Sequence, residues 1–134
     1  MEQNMPRILI IEDTFDTLEL LEFKLNESPF LCHYASNGET GLTMWREARA
    51  SGRPYSLILL DIHLRGGRDG FSITREIRSS GDTVPIVYLT ATSVSREEAR
   101  ARGAQDVWLK PRIMTENIGE KIAAALSPAT SSFI

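Results

Sequence analysis

The stretch ILIIED (residues 8–13) sets four consecutive apolar residues directly before two carboxylates. LILLD (57–61) and IVYLT (86–90) repeat the arrangement, each with a polar residue after an apolar run. Continuous rather than alternating apolar runs are typical of strands that helices cover on both faces of a parallel sheet. These three stretches therefore predict buried strands of an α/β domain.

Two further apolar runs, at residues 30–34 and 107–109, bring the number of predicted strands to five. The segments between the strands have helical spacing, as in Ile118, Ile122 and Leu126. The pattern predicts a (βα)₅ fold, a doubly wound parallel five-stranded sheet with right-handed crossovers. Residues 95–102 contain only two apolar side chains, both alanines, which predicts a weakly packed helix.

Length and composition fit one domain. The chain has 134 residues, of which 42% are hydrophobic and 25% charged. Residues 1–126 are predicted to form the domain, and residues 127–134, mostly Ser, Thr, Pro and Ala, a flexible tail. The net charge of −3 argues against direct binding of nucleic acid. The sequence shows neither a secretory signal nor an apolar stretch near the ~20 residues that span a bilayer, so we expect a cytoplasmic protein without membrane insertion.

Polar residues stand directly after four of the five predicted strands. Glu12 and Asp13 follow the first strand, Asp61 the third, Thr90 the fourth and Lys110 the fifth. The carboxyl ends of parallel strands share one edge of the sheet, where open α/β folds bind ligands. If the first and third strands are neighbours, the three carboxylates converge in one crevice.

Such a carboxylate cluster must take up protons, disperse into solvent or bind a cation, because two charges ~4 Å apart interact by roughly 4 kcal/mol at an effective dielectric near 20. Oxygen ligands without His or Cys favour Mg²⁺. Asp61 ends a buried strand before a Gly-rich turn (65–70), which makes it the predicted nucleophile for phosphoryl transfer, with Glu12 and Asp13 holding the metal. Lys110 adds a fixed positive charge at the same edge.

Several of these motifs together resemble the receiver domain of two-component response regulators, over about residues 7–126. The motifs are the acidic pair at 12–13, LLD (59–61), DG (69–70), LTA (89–91) and LKP (109–111). The resemblance implies a flavodoxin-like strand order 2-1-3-4-5. Only eight residues follow the last predicted helix, so we expect a single-domain, chemotaxis-regulator-like protein that acts by docking.

The resemblance also implies roles for the site residues. Asp61 would accept a phosphoryl group from the phosphohistidine of a sensor histidine kinase or a histidine phosphotransfer protein, and so switch protein–protein interactions in a phosphorelay. Asp13, Asp61 and the backbone carbonyl of His63 would bind Mg²⁺, and Glu12 would act through a metal-bound water.

Further expectations follow from the same resemblance. Lys110 would contact the phosphoryl group and Thr90 would move toward it. The bond between Lys110 and Pro111 is expected to be cis. The protein would be a self-phosphorylating and autodephosphorylating phosphoacceptor rather than a turnover enzyme, and the resemblance is compatible with a homodimer.

The sequence departs from the family pattern at several places, among them the turn after Asp61 and the strand before Lys110. The turn after Asp61 is one residue longer than usual, and its arginines, Arg65 and Arg68, are interpreted as exposed loop charges. Val107 stands where an aromatic residue is usual, and strand alternation sends Trp108 to the opposite face. These departures leave an alternative open, a receiver-like protein-interaction module that signals without phosphorylation.

Two other protein classes with a similar sheet are disfavoured. A flavodoxin needs a phosphate-binding loop after the first strand, where Glu12 and Asp13 repel phosphate. A phosphatase of the haloacid dehalogenase type needs a second acid two residues after its nucleophile, where this chain has His63.

Overall fold

The computed structural model describes residues 5–127, and these form an α/β domain with a single five-stranded parallel sheet. The strand order is β2-β1-β3-β4-β5, which confirms the predicted fold. The elements in chain order are β1 (Arg7–Ile11), α1 (Phe15–Leu25), β2 (Leu31–Ala35), α2 (Gly38–Ala50), β3 (Leu57–Asp61), α3 (Gly70–Ser79), β4 (Ile86–Thr90), α4 (Arg96–Arg102), β5 (Asp106–Leu109), α5 (Lys110–Ile113) and α6 (Ile118–Leu126). Of the predicted tail at 127–134, only Ser127 lies within the described residues.

The sheet separates two apolar layers, because side chains alternate along each strand. Leu9 and Ile11 of β1 pack into one layer, and Ile8 and Ile10 into the other. Helices α2, α3 and α4 contribute to the first layer through Leu42, Trp45, Ile73, Ile77 and Ala99. Helices α1 and α6 contribute to the second through Leu21, Leu25, Ile118 and Ile122. Burial on both faces explains why these strands are continuously apolar.

The crowded start of α3 fixes the chain that follows β3. The backbone N–H of Gly70 donates to the carbonyl of Ile62 at 2.8 Å. A Cβ at Gly70 would lie 2.5 Å from the carbonyl oxygen of Asp61, a backbone atom that has no room to move. Glycine therefore allows the start of α3 to pack directly against the end of β3, beside the predicted nucleophile.

Some local expectations are corrected. The expected cis bond before Pro111 is wrong, since residues 5–127 contain no cis peptide bond. Pro111 lies instead in the first turn of the short helix α5, where its missing N–H would have no helical partner anyway. Thr90 is the last residue of β4 rather than the first residue after it, whereas Asp61 ends β3, as the assignment of the nucleophile assumed.

The helix predicted to pack weakly does so, because α4 buries only Ala99 among its seven residues. No helix within residues 5–127 combines the length and the apolar character that crossing a bilayer requires.

Candidate functional site

Three carboxylates meet at the carboxyl edge of the sheet, as the positions after the strands predict. One oxygen from each of Glu12, Asp13 and Asp61 lies within 4.8 Å of the others. The topology produces this arrangement, because β1 and β3 are neighbouring parallel strands and their ends lie side by side. Glu12 and Asp61 are buried, whereas Asp13 is half-buried at the rim.

Lys110 bridges the two buried carboxylates. Its Nζ lies 3.0 Å from Asp61 Oδ2 and 3.0 Å from Glu12 Oε1. The lysine follows β5, so its side chain reaches past β4 to the end of β3. Burial alone would lower the pKa of Lys110, but the hydrogen bonds to Glu12 and Asp61 outweigh it and raise the pKa above its usual value. Lys110 therefore supplies a fixed positive charge.

Glu12 is the most deeply buried acid of the cluster, with no exposed side-chain surface. Its Oε2 accepts a hydrogen bond from the backbone N–H of Thr14 at 2.9 Å. Burial raises the pKa of Glu12, and the negative charge of Asp61 adds to this, against the bonds from Thr14 and Lys110 that lower it. The net effect is a carboxyl group that ionises less readily than glutamate in water.

Replacing Glu12 by glutamine is expected to make the protein more stable at neutral pH in the absence of divalent ions. The folded-state pKa of Glu12 lies above its ordinary value of 4.5, so folding disfavours the ionised form. As the pH falls through the raised pKa toward 4.5, Glu12 of the wild type becomes protonated in the folded protein. The difference in the free energy of unfolding between the wild type and Glu12→Gln should therefore shrink.

Denaturant unfolding in EDTA at several pH values checks this expectation. Glu19→Gln, at an exposed position of α1, is the matched control and should leave the pH dependence unchanged. A Glu12→Gln protein that is less stable than wild type at neutral pH contradicts the interpretation.

Asp13 has a partner that the sequence pattern does not indicate. Its Oδ2 accepts two hydrogen bonds from Arg65, one from the backbone N–H at 2.8 Å and one from Nε at 3.1 Å. Burial raises the pKa of Asp13, but the two bonds and the charge of Arg65 outweigh it and lower the pKa below its usual range. Arg65 is exposed in the loop, as expected, but its side chain also pairs with an acid of the cluster, which the sequence did not predict.

Thr90 and His63 lie at the same edge but contact the cluster differently. The buried hydroxyl of Thr90 donates to the carbonyl of Thr92 at 3.0 Å and accepts from the Thr92 backbone N–H at 3.1 Å, rather than contacting Asp61. The backbone N–H of His63 donates to Asp61 Oδ1 at 3.0 Å, while its side chain is exposed. The role of the His63 carbonyl in metal binding stays a prediction.

The donor set of the cluster fits Mg²⁺. It offers only carboxylate oxygens, which this hard cation prefers. Among the described residues, Glu12 Oε1 is buried and accepts no well-aligned hydrogen bond, although Lys110 Nζ is close. Three acids thus face one half-buried lysine and one exposed arginine, so carboxylates outnumber the cations and a divalent cation would offset the excess negative charge.

The faces of β5 agree with strand alternation. Val107 packs against the layer under α2, α3 and α4, whereas Trp108 is buried in the opposite layer beneath Lys121. The strand neighbour of Val107 is Tyr88, a buried aromatic residue whose hydroxyl hydrogen-bonds to Thr74 at 2.7 Å. Tyr88 on β4 thus places an aromatic side chain next to Val107, the β5 position at which an aromatic residue is usual.

Comparison with known proteins extends these observations. The family model described as the response regulator receiver domain matches residues 8–123. The probable transcriptional regulatory protein SilR of Salmonella typhimurium is 37% identical over 82% of this chain and 46% of its own length. The transcriptional regulatory protein PcoR of Escherichia coli is 36% identical over 84% of this chain and 48% of its own. The chain thus spans about half the length of these curated relatives.

A solved structure supports the fold. The signal receiver domain of the putative Luxo repressor protein from Vibrio parahaemolyticus superposes with a TM-score of 0.78, over 91% of this chain and 90% of that one. The two sequences are 19% identical, so this likeness concerns the fold alone.

Proposed function

Because this chain belongs to the receiver-domain family of response regulators, we propose that Asp61 accepts a phosphoryl group from a phosphohistidine. The donor is a sensor histidine kinase or a histidine phosphotransfer protein, and the acquired charge changes which proteins the domain binds. The observation that carries the proposal is the buried ion-paired cluster, in which Asp61 and Glu12 share Lys110 beside Asp13.

The chain itself orients the nucleophile. The His63 backbone N–H holds Asp61 Oδ1 and the Lys110 ammonium holds Oδ2, so that the carboxylate is fixed before a donor arrives. In the transfer, an Asp61 oxygen forms a bond to phosphorus while the bond between phosphorus and the donor imidazole nitrogen breaks. The electron pair of that bond leaves with the nitrogen.

Mg²⁺ would be held by the carboxylates of Asp13 and Asp61 and the backbone carbonyl of His63, with Glu12 acting through a water. When bound, it offsets negative charge on the phosphoryl oxygens and on the carboxylates that face them. Glu12 holds Lys110 at the site throughout, because it remains a partner of the ammonium when Asp61 is esterified.

Thr90 links the site to a movable element. When the Thr90 hydroxyl rotates toward a phosphoryl oxygen, its hydrogen bonds to Thr92 break. Thr92 lies in the segment that leads from β4 to α4. Because α4 buries only Ala99, its displacement costs little packing. The domain then acts as a phosphoprotein whose surface reports its state.

Beryllofluoride, an analogue of the phosphoryl group, tests this proposal together with Mg²⁺. We expect one beryllofluoride to bind per chain and to shift the backbone amide resonances of Asp61, of Thr92 and of α4 in NMR spectra. Mg²⁺ alone is the control and should move the resonances near Asp13 without moving those of α4.

The same experiment decides between the proposal and the alternative. Val107, in place of an aromatic residue, favours an interaction module that signals without phosphorylation. A well-dispersed spectrum that stays unchanged around Asp61 on addition of both reagents supports that module and contradicts phosphoryl transfer. The expectation of a single-domain protein stays a prediction, because the chain spans about half the length of its curated relatives.

A further inference from the structure

We propose that the guanidinium of Arg65 competes with the divalent cation for Asp13 and thereby sets the metal affinity of the site. The inference rests on the proposed function, because it takes Asp13 as a ligand of that cation.

The contact is specific to one oxygen. Arg65 donates both its backbone N–H and its Nε–H to Oδ2 of Asp13. The side chain of Asp13 is 11% exposed, whereas that of Arg65 is 79% exposed. The guanidinium is therefore a tethered cation that can swing into solvent, while the backbone N–H keeps Asp13 pointing toward the turn.

The turn that places Arg65 is built from two glycines. Gly66 and Gly67 have φ angles of +80° and +127°, a region that other residues adopt only with strain. Among the described residues, a Cβ at either glycine would meet no neighbouring atom within 4 Å, so backbone conformation rather than crowding calls for glycine here. The turn carries Arg65 to the end of β1, where Asp13 lies.

The second arginine of the turn serves as a natural comparison. Arg68 bonds to the hydroxyl of Ser72 at 3.0 Å and pairs with Glu76 on α3, away from the carboxylate cluster. The two side chains carry the same charge and belong to the same turn, but only Arg65 contacts a residue of the cluster.

The guanidinium of Arg65 and a divalent cation compete because both are positively charged and both bind Asp13. A cation that binds Asp13 Oδ2 has to displace the guanidinium or remain beside it. If the guanidinium is displaced, its charge-assisted hydrogen bond to Asp13 is lost. If it remains, it repels the bound cation. Because the guanidinium is largely exposed, the combined effect corresponds to about a three- to tenfold change in affinity.

Titration calorimetry with MgCl₂ tests the proposal. We expect the Kd for Mg²⁺ to fall about three- to tenfold in Arg65→Ala, and by less than about twofold in the control Arg68→Ala. The difference between wild type and Arg65→Ala should shrink as KCl is added, since an exposed guanidinium is screened by salt. A merely structural role of Arg65 gives no such salt dependence. Arg65→Gln provides a second variant, in which the side chain is longer than alanine and polar but carries no charge.

The outcomes separate the two claims. Equal Kd values for wild type and both Arg65 variants, or an Arg68→Ala effect as large as that of Arg65→Ala, overturn the inference and leave the proposed function standing. Absence of Mg²⁺ binding by the wild type and by every variant overturns both.

Discussion

Asp61→Asn is expected to lose phosphoryl labelling by a small phosphodonor, with a rate at least about 10³-fold below that of the wild type. The amide that replaces the carboxylate has no negative charge and is a poor nucleophile. It has nearly the same shape and can still accept the hydrogen bond from the His63 backbone N–H, so the fold should persist. Intact-mass spectrometry after incubation with acetyl phosphate and Mg²⁺ measures the label.

Asp69→Asn is the matched control for this substitution. Asp69 caps α3 by accepting a hydrogen bond from the backbone N–H of Ser72 at 2.8 Å, and asparagine caps helices equally well. Labelling of Asp69→Asn should therefore equal that of the wild type. Persistent labelling of Asp61→Asn contradicts the assignment of the phosphoacceptor.

Lys110→Met is expected to lower the free energy of unfolding by about 2–3 kcal/mol at neutral pH and the labelling rate by about 10²-fold. Methionine keeps the length of the side chain but leaves Glu12 and Asp61 buried without their shared cation. Without Lys110, the pKa of Glu12 should rise further above 4.5. The lost stability should therefore return as the pH falls through that raised pKa.

Denaturant unfolding at several pH values and the labelling assay measure the two effects. Lys121→Met is the control, because Lys121 pairs with Glu116 at 3.5 Å and lies over the ring of Trp108, away from the site. It should change stability by less than about 1 kcal/mol and leave the labelling rate unaltered. A Lys110→Met protein with wild-type stability and labelling would refute the role given to the lysine.

Much of the fold could be predicted because burial on both faces leaves a clear pattern in the strands. The runs at 8–11, 57–60 and 86–89 are fully buried, as their unbroken apolar character predicts. The strand order came from the family resemblance rather than from the runs themselves. Helix α5 was missed because four residues are too few to show a helical period, and the expected cis bond before Pro111 was wrong.

The site was predictable to the extent that it follows from strand ends. Glu12, Asp13 and Asp61 converge because β1 and β3 are parallel neighbours. The pairing of Arg65 with Asp13 was missed, since it depends on backbone angles in the turn that spacing does not encode. The bonds of Thr90 to Thr92 were missed for a different reason, because the orientation of a hydroxyl depends on surroundings that the sequence does not specify.

The location of the phosphoryl group tests the central claim most directly. Wild-type protein labelled by acetyl phosphate in the presence of Mg²⁺ would be digested, and the modified peptide sequenced by mass spectrometry. We predict one phosphoryl group, on Asp61, whose attachment requires Mg²⁺. A phosphoryl group on any other residue, or labelling that proceeds equally well in EDTA, would contradict the account.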